Sequence, residues 1–457
     1  MTDQRRRLNV LPGLRTGVFG LNILAWIRRQ PWLQSIYRLF PQALRDRLST
    51  ALAARAVAQT RFKRTAAWDF EDRALPPQRA GISSDAQLSG VNIIGYIRGE
   101  FGLAESARMY ARALINEHVP LALCDVDLGM PHSWGDHSLA EFIDERLPYS
   151  VSIVFVNPDY LEAALDYVGR TRMAGRYVIA CWFWELEKIP QSWLPAIQQV
   201  DEIMVASRFI ENAFQQVTNK PILRIPLPLS EIHDSGLQRR DFGLEPDKFI
   251  FLCTFDFHSY IARKNPYAAI HAFLAAFPAE RDDVRLLVKS SNGHLHPDGM
   301  RELLNAVGSD RRISVRDEVI NRAHICALQR CCDAYVSLHR AEGFGLGLAE
   351  CMALGKPVIA TGWSGNAEFM NSGNSCLVDY ELVPVRVGEY PHSIGAYWAE
   401  ADLASAASAM RWLADDPARA RSLGEMARQD VYAHLSPKQA ARRLMARVAE
   451  VNAGLTQ

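Results

Sequence analysis

From Val91 onward, short apolar runs alternate with longer stretches whose apolar residues recur every three or four positions. "VNIIGYI" reads as a buried strand, and "RGEFGLAE" as the turn that follows it. Leu103, Ala107, Tyr110, Ala111 and Leu114 then fall on one face of a helix. The runs "PLALCDV", "SIVFVN", "RYVIACWFW" and "EIMVAS" continue the series, with helical stretches between them. Short apolar strands alternating with helices predict a mainly parallel sheet covered on both faces.

"KPILRIPLPLSEIHDSG" breaks this rhythm. Pro221, Pro226 and Pro228 forbid a helix, so the segment reads as a crossing between domains. A second α/β series follows in "FIFLCTF", "VRLLVKSS", "RISVRD", "DAYVSL", "PVIAT" and "SCLVDY", and the chain is helical from about Asp402. The expected layout is one Rossmann-like domain over 90–228, a second over 229–425, and C-terminal helices over 426–457 packing back on the first domain. Two doubly wound α/β domains leave a cleft between them, and ligands bind such sheets beyond the carboxyl ends of the strands.

Residues 1–80 stand apart as a basic helical extension, joined to the body by the Pro-, Gly- and Ser-rich "ALPPQRAGISSDAQLSG". They hold 15 Lys+Arg against 5 Asp+Glu, so a formal net charge of zero hides a +10 extension on a −10 body. Trp32, Leu33, Ile36, Leu39 and Phe40 share a helical face near the arginines. Such a segment either lies on an anionic membrane surface or packs on the body with its basic face outward. No run reaches the ~18 apolar residues of a membrane span. "GVFGLNILAWI" lacks the cleavage site of a signal peptide. The eight cysteines form no CxxC pair or metal-ligand spacing and sit mostly in apolar runs, as expected in the reducing cytoplasm. Nucleic acid is not an expected partner, because an acidic body repels phosphates.

The most informative stretch is "HRAEGFGLGLAE". "DAYVSL" predicts a strand, "HRAEGFG" the loop after it, and a helix should begin near Leu346. The free N–H groups and dipole at a helix start favour a phosphate, and Gly343, Gly345 and Gly347 let backbone approach it closely. Glu342 would repel that phosphate, but beside it a carboxylate can accept hydrogen bonds from neutral hydroxyls. Glu350, further along the helix, can take hydroxyls on the other side. A sugar, a diphosphate and a ribose in that order describe a nucleotide-sugar.

"EGFGLGLAE", with "GKPVIATGWSGNAEFM" after it and "SLHR" before it, resembles the E-x7-E motif of the retaining family 4 glycosyltransferases of GT-B fold. The resemblance covers about residues 90–450, and "CWFWEL" and "YWAEAD" are similar to a polysaccharide-biosynthesis subset. It implies that Glu342 contacts the transferred sugar, Glu350 the ribose, and the amides around Phe344, Gly345, Leu346 and Gly347 the sugar and phosphate. "FDFHSYIARKNPYAAIHAF" resembles the family's basic loop, with Lys264 at the family lysine and Arg263 beside it as a diphosphate clamp. The family's further arginine is absent, since Asp256 or His258 stands there.

On the other domain, "GYIRGEFGLAES" resembles the family's glycine loop and offers Glu100, Gly102 and Glu105, a helix-capping turn being the alternative. In "CWFWELEKIPQSW", Trp184 or Glu185 stands where relatives carry a donor-touching histidine. Its tryptophans serve either to stack on a sugar or lipid acceptor or to fill the core. The resemblance implies transfer of a hexose from a nucleotide diphosphate sugar to a glycan or lipid-linked acceptor with retention, without metal or other cofactor. The site would be cytoplasmic, with peripheral attachment to the inner membrane face through residues 1–80. A nucleotide-sugar epimerase of the same architecture and a glycan-binding scaffold with a retired site are the alternatives.

Overall fold

A computed structural model describes residues 90–130 and 134–455. The basic extension expected over 1–80 lies outside the described residues.

The first domain is a six-stranded parallel sheet in the order β2-β1-β3-β4-β5-β6. Its strands are β1 (Val91–Gly95), β2 (Leu121–Asp125), β3 (Val151–Phe155), β4 (Tyr177–Cys181), β5 (Glu202–Val205) and β6 (Ile222–Arg224). The segment expected only to cross between domains thus begins with an edge strand. Pro221 and Pro226 flank β6, and an edge position needs few of the N–H donors that proline lacks. Two helices frame the cleft side. α1 (Gly102–Asn116) follows β1, and α2 (Arg208–Gln215) is capped by the Ser207 hydroxyl, which accepts from the Ile210 N–H.

The second domain repeats the plan in the order β12-β11-β10-β7-β8-β9. These strands are β7 (Phe249–Asp256), β8 (Val284–Ser291), β9 (Ile313–Asp317), β10 (Ala334–Ser337), β11 (Val358–Thr361) and β12 (Cys376–Val378). The helices that matter for the site are α3 (Ile261–Lys264), α4 (Pro266–Ala276), α5 (Arg322–Cys331) and α6 (Leu346–Ala353), the last starting where the glycine pattern places it. β7 lies between β8 and β10, so the strand order reverses there and leaves a crevice at the carboxyl ends. The first sheet reverses in the same way between β1 and β3.

A hairpin of β13 (Tyr380–Pro384) and β14 (Tyr397–Ala401), which the hydrophobic pattern did not foretell, ties the domains together. Its Val385, Tyr390, Ala396 and Trp398 bury themselves in the first domain's core with Trp182, Trp184 and Trp193. At the end of the chain, α7 (Pro417–His434) packs on α6, and α8 (Pro437–Leu455) returns to the first domain against α1. Leu444 and Val448 of α8 share a core with Tyr110 and Leu114, while Arg447 pairs with Glu202 at 2.9 Å. Residue 426 lies within α7, and the turn between the two helices comes at Leu435–Ser436. All eight cysteines are free, and no helix among the described residues is long and apolar enough to cross a membrane.

Candidate active site

The loop from β10 to α6 and the loop from β7 to α3 meet at the strand-order reversal. They enclose a cavity of about 240 Å³ that Asp256, Lys264, Lys289, Tyr335, Glu342 and Gly345 help to line. Gly345 caps α6 with φ +93°, a backbone that side chains rarely adopt. Gly365 is held by close packing, since a Cβ there would sit 2.0 Å from the Gly343 carbonyl oxygen. Its N–H donates to the Glu342 carbonyl at 2.8 Å, which fixes the loop's course. His339, fully buried beneath, spans Ser337 Oγ and Asn366 Oδ1 at 3.0 Å each, and burial lowers its pKa.

Glu342 stands at the centre. Lys264 ion-pairs with one carboxylate oxygen, and Arg263 donates to the other at 3.1 Å. The Ser364 hydroxyl accepts from the Glu342 backbone N–H at 2.8 Å. Burial pushes the carboxyl up, but Lys264, Arg263 and His339 outweigh it and hold the pKa at about 2. At neutral pH this group is therefore a hydrogen-bond acceptor and not a proton donor.

The two neighbouring cations part company. Lys264 lines the cavity, whereas Arg263 is 5% exposed and turns toward the first domain. Its guanidinium also donates to the Ala341 carbonyl at 2.9 Å, reaches Glu185 at 3.7 Å, and lies 5.9 Å from the Tyr390 ring centre. Tyr390 completes the set by donating to Glu185 at 2.5 Å. A carboxylate on each domain thus shares one arginine.

Glu350, buried in α6, makes a second bridge of the same kind. Arg322 at the start of α5 lies 2.6 Å from Glu350 and 3.3 Å from Glu105 on α1. Gln329 donates to the other Glu350 oxygen at 3.4 Å. Glu105 also holds Arg108 at 2.8 Å and Arg112 at 3.1 Å. Burial disfavours its charged form, but the three arginines win and lower its pKa.

The remaining sequence candidates spread out. Leu346 and Gly347 line the cavity, while Gly343 and Phe344 are buried behind it, Phe344 against Phe369. Trp184 is buried, its indole N–H donating to the Lys188 carbonyl at 2.7 Å and its ring edge-on to Trp193 at 4.7 Å. Glu100 and Gly102 are exposed at the start of α1. Sequence reasoning missed Lys289, Arg322 and Tyr390. A lysine inside the apolar strand "VRLLVKSS" was the one available signal for the first; the other two act across domains, where periodicity carries no information. Among the described residues, no three His, Cys, Asp or Glu side chains are grouped to hold a metal.

Two outcomes follow from these ion pairs. Against an ordinary value of 4.5, the folded value of about 2 means that ionised Glu342 stabilises the fold fully above pH 4.5. That contribution is lost as pH falls toward 2, so the stability gap between wild type and Glu342→Gln, read by urea unfolding, should shrink over that interval. A constant gap would contradict the ion-pair account. Arg322→Met strands the Glu350 charge and should cost about 3–5 kcal/mol, partly recovered by adding Glu350→Gln. Simple additivity of the two changes would show that the residues do not interact.

Residues 257–411, which include Arg263, Lys264, most of the cavity lining and both glutamates, match the family described as "Glycosyl transferases group 1". No curated protein matches the chain in sequence. Among solved structures, sucrose-phosphate synthase of Thermosynechococcus elongatus is similar with a TM-score of 0.58 at 15% identity, over 80% of this chain and 100% of that one. HepE of Anabaena, solved with UDP and glucose, gives 0.55 at 15% identity, over 79% and 100%. The pneumococcal O-GlcNAc transferase GtfA, solved with UDP and GlcNAc, gives 0.48 at 15% identity. That alignment takes in 66% of this chain and spans 56% of GtfA. The chain has the GT-B fold, and much of its second domain is similar to the group 1 glycosyltransferases.

Proposed function

We propose that this chain is a retaining glycosyltransferase that moves a hexose from a nucleoside diphosphate sugar to a glycan or lipid-linked acceptor. The observation that carries the reading is the cavity itself, where Glu342, Lys264 and the start of α6 converge at the strand-order reversal. The helix start and Lys264 receive the diphosphate, stabilising the charge that develops as the sugar C1–O bond breaks. Glu342, ionised at neutral pH, accepts hydrogen bonds from sugar hydroxyls. Glu350 takes the ribose hydroxyls through the oxygen that Gln329 touches only loosely, Arg322 holding the other. The acceptor oxygen bonds to C1 on the face the diphosphate leaves, and its proton passes to the departing phosphate oxygen. The retaining course rests on the resemblance of the E-x7-E motif. No metal or other cofactor is part of the reading.

UDP is the first nucleotide to test, because HepE, of the same fold, was solved with it. Glu342→Ala should lower transfer from the preferred donor by about 100-fold, and Glu350→Ala should weaken nucleotide binding by about tenfold or more. Accumulation of an epimerised donor without acceptor would replace the reading with the epimerase. A folded chain that binds no nucleotide would replace it with the glycan-binding scaffold. The +10 charge of residues 1–80 is assigned to anionic lipid at the inner face of the membrane. Charge reversal at Arg61, Lys63 and Arg64 should reduce co-flotation with anionic liposomes, and undiminished flotation would rule that partner out.

A further inference from the structure

Lys289 has no role in the site as derived so far. It stands at the carboxyl-terminal end of β8, in register with Thr254 of β7 and Arg316 of β9. Thr254 is on the site's floor, bonded to the Tyr335 hydroxyl at 2.7 Å, and both line the same cavity as Lys289 and Lys264. Lys289 is 6% exposed, yet its ammonium contacts only the Ser291 hydroxyl, at 2.8 Å.

An ammonium carries three donors and is strongly hydrated, so burying it with one neutral partner is unfavourable. Among the described residues the buried arginines, by contrast, are paired with carboxylates: Arg263 with Glu342, Arg108 with Glu105, Arg312 with Asp310. The acidic groups around Lys289 are Asp256, Asp317 and Glu318. Asp256 is already held by the Asn292 amide at 2.9 Å and the His258 N–H at 2.8 Å. Asp317 accepts from the Ser290 hydroxyl at 2.9 Å and the Gly293 N–H at 3.1 Å. Burial outweighs their pull and lowers the Lys289 pKa to about 8. The charge is therefore under-compensated, and it faces the cavity that holds Lys264 and the start of α6.

Resting on the donor-site reading above, we propose that Lys289 is a second phosphate-binding cation of this cavity and contacts the diphosphate of the bound nucleotide. Lys264 is partly neutralised by Glu342, so a diphosphate entering the cavity meets Lys289 as the cation not tied to a carboxylate. A neutral ligand group would leave the ammonium's charge uncompensated; an anionic oxygen removes the penalty and forms a charge-assisted hydrogen bond.

The test is calorimetric titration of the full chain with UDP, GDP, the matching nucleosides and inorganic pyrophosphate, on wild type, Lys289→Met and Lys289→Gln. Both variants should weaken binding of the preferred nucleoside diphosphate about 10- to 100-fold and leave the nucleoside's affinity within about twofold. Without ligand, Lys289→Met should melt no lower than wild type, because it removes a poorly paired buried charge. Diphosphate affinity kept within about threefold would overturn the proposal. So would an equal loss for the nucleoside, which would place Lys289 at the base or ribose. Wild type that binds pyrophosphate in a Lys289-dependent way but no nucleotide would sink the donor reading and leave the phosphate contact standing. Binding of neither would sink both.

Discussion

A carboxylate taken out of water carries a penalty of several kcal/mol unless cations go with it, and the cleft is organised around Glu342, which brings two. Lys264 and Arg263 come from the short helix after β7, while Glu342 comes from the loop after β10, so the pair holds two strand ends in one place. Arg263 then reaches Glu185 in the other domain, and Tyr390 of the hairpin loop closes the ring. Losing the charge on Glu342 would leave Arg263 and Lys264 short of a partner on the side from which substrate must come. The ionisation of one residue therefore links the two strand ends to the contact with the first domain.

The groups that bridge carboxylates of the two domains, Arg263, Arg322 and Arg224, are arginines, and both cations lining the cavity are lysines. The division follows from their shapes. A guanidinium presents a rigid fork that satisfies two carboxylates at once, as Arg263 does for Glu342 and Glu185, and Arg322 for Glu350 and Glu105. A lysine ammonium is a compact charge whose donors rotate, suited to a ligand that comes and goes. The closed arrangement is reinforced elsewhere: Ser207 Oγ donates to the Gly343 carbonyl at 2.7 Å, and the Arg208 N–H to Glu368 at 2.8 Å. The N-terminal end of α2 is thus fastened to the loop that carries Glu342.

The two-domain layout was legible because strands such as β1, β3, β10 and β11 are buried on both faces and so write largely apolar runs. The start of α6 at Leu346 was legible because its glycines are needed at defined positions, Gly345 for its positive φ. β6 was not, since three residues between prolines look like linker until the edge they occupy is known. The hairpin was also missed, because its inward residues pack on another domain, and a local pattern names a face without naming what covers it. The sequence places Arg263 and Lys264 side by side in one diphosphate clamp. Adjacent residues on a helical turn point about 100° apart, which is how one faces ligand and the other an interface.

The tryptophans decide where an acceptor cannot sit. Trp182, Trp184 and Trp193 are buried, and their indole N–H groups are committed to the Val156 carbonyl at 2.9 Å, the Lys188 carbonyl at 2.7 Å and Asp159 at 3.0 Å. Their rings pack on one another, on Phe214 and on Tyr390, so all three tryptophans of "CWFWELEKIPQSW" lie in the core of this arrangement. Stacking an acceptor there would require the hairpin to lift away, exposing Trp398 and breaking the Tyr390–Glu185 bond that helps to anchor Arg263. The start of α1 is open, with Glu100 and Gly102 exposed and Glu105 behind them tied through Arg322 to Glu350. A ligand held at that turn would touch a part of the first domain already bonded to Glu350, so its approach would act on the Glu105–Arg322–Glu350 bridge.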